Sequence, residues 1–341
     1  MIFIYNFFYL TLLSLLENKI KLNKKIILIL SIFPLVLMIV FLKNFPDDNY
    51  YYDSYIHINE IKYNGHFNLE KGYLFLSKIF FNLGFSYQWF KITVLIIILC
   101  IFLKKIYDKN EICFKVLLFY STTFIFTVLV QYRSGLVLAL FLVLGIELLK
   151  KNKNIFYTFY ILFLTQIHSS IILFLPLIVL RKITSKKMKI FILLCTILIP
   201  FFYQEILELI NILSIYIPGL EKVNNYLNNP VWYDVNGKYG RRDIFTIILY
   251  LLLVLKLKIY SKRENIYLWI FYLSIFYRSI FIKVPEVGFR AYLLCQFSLI
   301  FLIPKLLKNK LFIKIISILV IFVYFYLLIS VYGGGIILRN Y

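Results

Sequence analysis

Long apolar runs alternate with short polar connections along the whole chain, and the runs set the first expectation. Segments near 1–16, 26–42, 89–103, 112–130, 134–149, 190–203, 244–258, 265–282, 291–304 and 311–332 are nearly free of charge. Most reach or approach the ~20 residues that a helix needs to cross a hydrocarbon core ~30 Å thick. In lipid, backbone polar groups find partners only within their own helix, so each run is expected to be helical. The pattern predicts an all-α, polytopic membrane protein of roughly ten transmembrane helices, forming a single integral membrane domain over 1–341. The first run has neither a basic n-region nor a small-residue cleavage site before "ENKIKLNKK", so it is read as a retained span.

The run 155–180 is longer than a span and carries His168 in its middle. Crossing once would divide the loop Lys and Arg evenly between the two sides of the membrane. Entering and returning as a re-entrant helical hairpin gathers them on one side, with Arg181, Lys182, Lys186, Lys187 and Lys189 in the cytoplasm. The hairpin puts "HSS", residues 168–170, at its tip, toward the outer surface, where non-helical backbone needs a protein-lined or wet cavity. Both termini and the two larger connections, 43–72 and 204–243, are then external loops. Acids gather on that side as well, from Asp47, Asp48 and Asp53 to Glu221, Asp234 and Asp243.

Composition excludes a soluble domain, because 62% of the 341 residues are hydrophobic and only 16% charged. The net charge of +22 does not imply a nucleic-acid partner, since the Lys residues lie mostly in short loops where they orient helices. Cys100, Cys113, Cys195 and Cys295 fall within apolar runs without CxxC spacing, which supports neither a disulfide framework nor a metal site. No phosphate-binding glycine loop, HExxH or GxSxG occurs, so nucleotide-driven and protease chemistry have no support and no cofactor is expected.

Candidate chemistry concentrates in a few stretches. The first external loop, "FPDDNYYYDSYIHINEIKYNGHFNLEKGY", mixes acids with tyrosines. Aromatic faces such as Tyr52 and Tyr73 can cover the apolar side of a sugar ring while Asp48, Asp53 and Glu70 accept its hydroxyl hydrogens. An interfacial tyrosine belt beside a solvated acidic loop would read the same way. His57 and His66 are expected to be solvated. Arg133, in "VLVQYRSGLVLAL", lies at a tight turn between two runs, where a guanidinium can fork onto a phosphate or snorkel to headgroups; Gly135 would let the helices approach closely. His168 sits at membrane depth, where ionisable groups are costly, and an imidazole with an ordinary pKa near ~6.5 suits proton transfer from a hydroxyl. Arg241 and Arg242 can bind a diphosphate together or simply flank a helix start. Arg278 lies well inside a run and needs a counter-charge, for which Glu286 in the following turn, beside Arg290, or a ligand phosphate is expected.

At these residues the sequence resembles the EpsG family of polysaccharide polymerases, related to the Wzy-type polymerases of O-antigen, capsule and exopolysaccharide. "DDNYYYDSY" is similar to the family's acidic and aromatic patch, Glu70 to Tyr73 to its Glu-x-Gly-aromatic element, and "SYQ" to an aromatic segment that follows. "RSGLVLA" resembles its Arg-small-Leu-Ala element, with Val137 in place of Ala, and "IHSSIILFLPL" its His-x-Ser element. The resemblance spans roughly 45–180 and implies a metal-independent glycosyltransferase at the outer face of the bacterial cytoplasmic membrane. Its substrate would be an undecaprenyl-diphosphate-linked oligosaccharide, and a chain-length regulator and a flippase are implied partners.

Taken together, Arg133, backed by Arg241 and Arg242, is expected to neutralise the diphosphate leaving group, and His168 to take the acceptor's proton or to orient the acceptor. A carboxylate, Asp48, Asp53 or Glu70, is the alternative base. Glu70, Tyr52, Tyr73, Arg278, Glu286 and Arg290 are expected to contact substrate. A lipid-linked oligosaccharide flippase or transporter, an O-antigen ligase and a sugar O-acyltransferase remain alternatives.

Overall fold

The computed structural model describes residues 2–17, 23–42, 45, 48–60, 69–107, 111–216, 237–257, 261–307 and 311–332, and among these the ordered elements are all helical. Asp47, His66, Glu221 and Asp234, with residues 217–236 of the second large connection, lie outside the described residues. Every predicted apolar run coincides with helix. Five helices among the described residues are long and apolar enough to cross a membrane: Lys24–Phe41, Ile112–Val130, Tyr132–Lys150, Lys186–Glu205 and Val287–Leu306. The chain divides into two compact units, residues 1–172 with 307–341, and residues 173–306.

In the first unit Ile112–Val130 is buried on nearly every face, as expected of a helix that is apolar all round. It widens from α into π geometry at Tyr120. Ser121 and Thr122, beside the transition, donate their hydroxyls to the carbonyls of Leu117 at 2.9 Å and Leu118 at 2.7 Å, so neither of these two hydroxyls is stranded. At its other end the helix offers the N–H groups of Ile112 and Cys113 to the Glu17 carboxylate, at 2.6 and 3.2 Å, a charge well placed at a helix N-terminus. The chain turns at Gln131 and runs on as Tyr132–Lys150. Gly135 permits this reversal, since a Cβ there would stand 3.0 Å from the Thr127 carbonyl oxygen.

The stretch after the first large connection forms a helix of its own, Lys71–Asn82, ahead of Tyr87–Ile106. It stops at Gly84, whose φ of 80° a residue with a Cβ would resist. Within 155–180 the helix Asn154–Thr165 ends at Gln166–His168, and a 3-10 segment, Ser169–Phe174, follows. At ~1.5 Å per residue neither piece alone spans a bilayer, so the histidine marks a break in the helix.

The second unit is organised around Lys262–Ile280, buried almost continuously from Asn265 to Ser279. Ser261 and Glu264 close a capping box at its start. Asn265 and Trp269 then donate side-chain hydrogen bonds to the carbonyls of Arg181 and Ile183, at 2.8 and 3.0 Å. Around it lie Lys186–Leu198, Arg241–Lys256 and Pro285–Cys295. The last begins earlier than the apolar pattern indicates: Glu286 and Arg290, expected in a turn, belong to a helix that starts at Pro285. Proline at the first helical position loses no hydrogen bond and has φ preset.

Candidate functional site

Three stretches remote in sequence meet in the first unit. Glu70, at the N-cap of Lys71–Asn82, is contacted through both carboxylate oxygens. Arg133 Nη1 donates to Oε2. The backbone N–H and hydroxyl of Ser169 donate to Oε1 at 3.1 and 3.0 Å, and His168 Nδ1 lies 3.4 Å from the same oxygen. The Glu-x-Gly-aromatic element, the Arg-Ser-Gly element and the His-Ser-Ser element thus form one polar cluster.

Gly72 makes the meeting possible. Its N–H and that of Tyr73 donate to the Gln166 carbonyl at 2.7 and 3.2 Å, and a Cβ on residue 72 would lie 2.7 Å from that oxygen. The helix start is therefore pressed against the break that carries His168.

Aromatic rings wall the cluster. The Arg133 guanidinium sits 4.9 Å from the Tyr51 ring centroid and 5.1 Å from that of Tyr73, and its Nε donates to the Tyr51 hydroxyl at 3.1 Å. Tyr73 and Tyr132 share a hydrogen bond between their hydroxyls. Tyr73, expected to cover a sugar ring, is 1% exposed and packs against the Arg133 guanidinium instead.

The electrostatics follow from this packing. Burial on its own would push the Glu70 carboxyl up, but the hydrogen bond from His168, the Arg133 charge and the Ser169 N–H together hold it well below the usual carboxylate range. An ionised carboxylate only accepts, so the nitrogen facing it, His168 Nδ1, carries a proton in either charge state. In the neutral ring Nε2 is then the basic nitrogen. His168 retains 21% side-chain exposure, against 12% for Glu70 and 11% for Arg133, so it is the most accessible of the three.

The helix Asp48–Ile56 explains which of the loop acids and tyrosines face inward. Positions 48, 51 and 55 share one helical face and are buried, whereas Tyr52 and Asp53 are exposed. Asp48, expected as a catalytic or substrate-binding acid, is instead committed to structure. Lys91 Nζ lies 2.7 Å from Oδ1, the Tyr87 hydroxyl 3.2 Å from the same oxygen, and the Phe45 N–H donates to Oδ2 at 2.9 Å. A buried Lys inside a span needs such a counter-charge. Asp53 is on the exposed face, and its backbone carbonyl oxygen lies 2.9 Å from His57 Nδ1. Tyr51, Tyr132, Ser169 and Gln166 were missed; the one available signal was the helical spacing of Tyr51 from Asp48 and Tyr55.

The second unit holds another charged group. Asp243 caps its own helix, its Oδ2 accepting from the Gly240 N–H at 2.9 Å and from Arg278 Nε at 3.1 Å. Arg242 Nη2 reaches Oδ1 at 3.4 Å. Among the described side chains the counter-charge of Arg278 is therefore Asp243, the residue next to Arg242; the side chain of Glu286, the partner expected from the sequence, lies outside the described residues. Arg241 and Arg290 are exposed, and Arg241 does not share in this group. Among the described residues no three His, Cys, Asp or Glu side chains converge as a metal cage would need.

Compared with known proteins, the chain matches the model of the EpsG family over residues 25–338. No curated protein and no solved structure matches it.

Proposed function

The chain belongs to the EpsG family, a family of Wzy-type polymerase-like membrane proteins, and from that membership we propose that it is a polysaccharide polymerase. It moves a growing glycan from undecaprenyl diphosphate onto a hydroxyl of the next lipid-linked repeat unit, at the outer face of the cytoplasmic membrane. The observation that carries this reading is the convergence of Glu70, Arg133 and the His168–Ser169 pair, which joins a base, its orienting carboxylate and a cation in one partly open place.

In the reaction the acceptor hydroxyl gives its proton to His168 Nε2 as its oxygen bonds to the anomeric carbon. The bond from that carbon to the diphosphate breaks, and the lipid diphosphate leaves with the electron pair. Glu70 holds the imidazole by Nδ1 and steadies the imidazolium that forms, a role that strengthens as charge develops. Arg133 anchors Glu70 and supplies positive charge beside the reacting groups, and Tyr52, exposed on the neighbouring helix, offers a ring to a sugar face.

The test is the lipid-linked glycan profile of a strain lacking the gene, complemented with wild type or with His168→Ala. Single repeat units in the deletion, and a ladder restored by wild type alone, support the reading. Full-length chains that persist without a modification would replace it with a sugar O-acyltransferase, and a missing outer-face pool of repeat units with a flippase.

A further inference from the structure

The charged group of the second unit has more donors than acceptors. Arg242 and Arg278 share one carboxylate, Asp243, so among the described side chains the group carries one positive charge in excess. Their side chains are only 12% and 10% exposed. Arg278 Nη1, Arg242 Nε and Arg242 Nη1 are buried and meet no hydrogen-bond acceptor among the described residues. Buried guanidinium N–H groups left in this state cost free energy, and a buried net charge costs more.

The neighbouring hydroxyls do not relieve them. Arg278 lines a small cleft with Tyr239, Asp243, Thr246 and Tyr292. Thr246 donates to the Arg242 carbonyl at 2.9 Å, which leaves Tyr292 to donate to Thr246, also at 2.9 Å. Tyr239 donates to Ser279 at 2.7 Å, and Ser279 to the Ile275 carbonyl at 2.8 Å. Every hydroxyl proton is spent within the protein, so the donors in surplus are guanidinium ones. Arg242 is held in place by the rings of Phe289 and Tyr292, 4.3 and 4.8 Å from its Cζ, and its planar fork is preorganised.

We propose that Arg242 and Arg278 form an oxyanion site for a phosphoryl group. The free space in the cleft is about 10 Å³, room for one oxygen-sized group. A single phosphate oxygen therefore enters beside Arg278 while the rest of the ligand lies outside. The phosphoryl group comes from a lipid-linked diphosphate or from free phosphate. The site rests on the surplus donors and the surplus charge, and it stands whether or not the polymerase reading does.

Binding to the purified full chain in detergent tests it, with farnesyl diphosphate and inorganic pyrophosphate as probes and farnesol as the uncharged control. We expect a raised melting temperature with at least one diphosphate probe and none with farnesol at matched ionic strength. Arg242→Gln is expected to weaken binding about 10-fold, the loss of one charge-assisted hydrogen bond. Arg278→Lys keeps the charge opposite Asp243, and so the fold, but loses the fork, and should weaken binding similarly. Lys238→Gln, at an exposed neighbouring position, should not. A response to farnesyl diphosphate alone assigns the lipid source, and an equal response to pyrophosphate assigns free phosphate. No response to either probe, as for a cleft that holds only water, overturns the proposal, as does undiminished binding by both Arg variants. The glycan ladder is read separately: a missing ladder with intact probe binding counts against the polymerase alone.

Discussion

The Glu70 carboxylate and His168 Nδ1 stand 3.4 Å apart although 98 residues separate them in the chain. What brings them together is backbone, since the N–H groups of Gly72 and Tyr73 close on the Gln166 carbonyl two residues before the histidine. The carboxylate thereby sets the tautomer of the imidazole, and the turn on which the imidazole rides is fixed by the helix that bears the carboxylate.

Glu70→Gln removes the charge but keeps the shape. Leaving Arg133 with no counter-charge is expected to destabilise the protein by about 3 kcal/mol at neutral pH, measured by thermal or denaturant unfolding in detergent. Because the folded carboxyl lies below its usual value of 4.5, its contribution is present above that value and is lost as pH falls through the folded one. The gap between wild type and variant should be widest above pH 4.5 and narrow on further acidification. A gap that widens in acid would contradict the ion pair.

Arg133→Ala is expected to abolish the polymer ladder at normal protein level, and Arg133→Lys to reduce it strongly, because one ammonium cannot reach both Glu70 and Tyr51 as the fork does. A ladder of ordinary length from Arg133→Ala, read by gel, would remove Arg133 from the mechanism.

Gly72→Ala places a Cβ 2.7 Å from a carbonyl oxygen, a contact that only backbone displacement relieves. A loss of about 1–3 kcal/mol and a ladder much weaker than the protein level accounts for are expected. Gly84→Ala, outside the cluster, should lower stability alone, through its positive φ.

Asp48→Asn should lower the amount of folded protein by stranding Lys91, with little effect on polymer formed per molecule. Replacing both, as Asp48→Leu with Lys91→Met, should recover much of the folded protein. If the double variant folds yet makes no polymer, Asp48 has a chemical role after all.

Orientation is open to a direct check. Asp53→Cys and Lys151→Cys both place a thiol at exposed positions of the first unit. The distribution of basic loops predicts that an impermeant maleimide labels residue 53 in intact cells and residue 151 only after lysis. The reverse pattern would turn the site toward the cytoplasm.

Alternation of apolar runs with basic loops was enough to determine an all-helical membrane protein, because burying a helix in lipid demands length and apolarity that any reader of the chain can count. The motifs around Glu70, Arg133 and His168 were legible for the same kind of reason: ionisable groups at the ends of apolar runs are too costly to be incidental. Which partners they take was decided by tertiary structure. Asp48 and Glu70 look alike in sequence, yet one neutralises a buried lysine and the other holds an arginine and a histidine, because only packing sets which cation lies within hydrogen-bond reach. Likewise Arg278 finds Asp243 across a helix pair, a pairing that no spacing along the chain could reveal, since charges find each other through space.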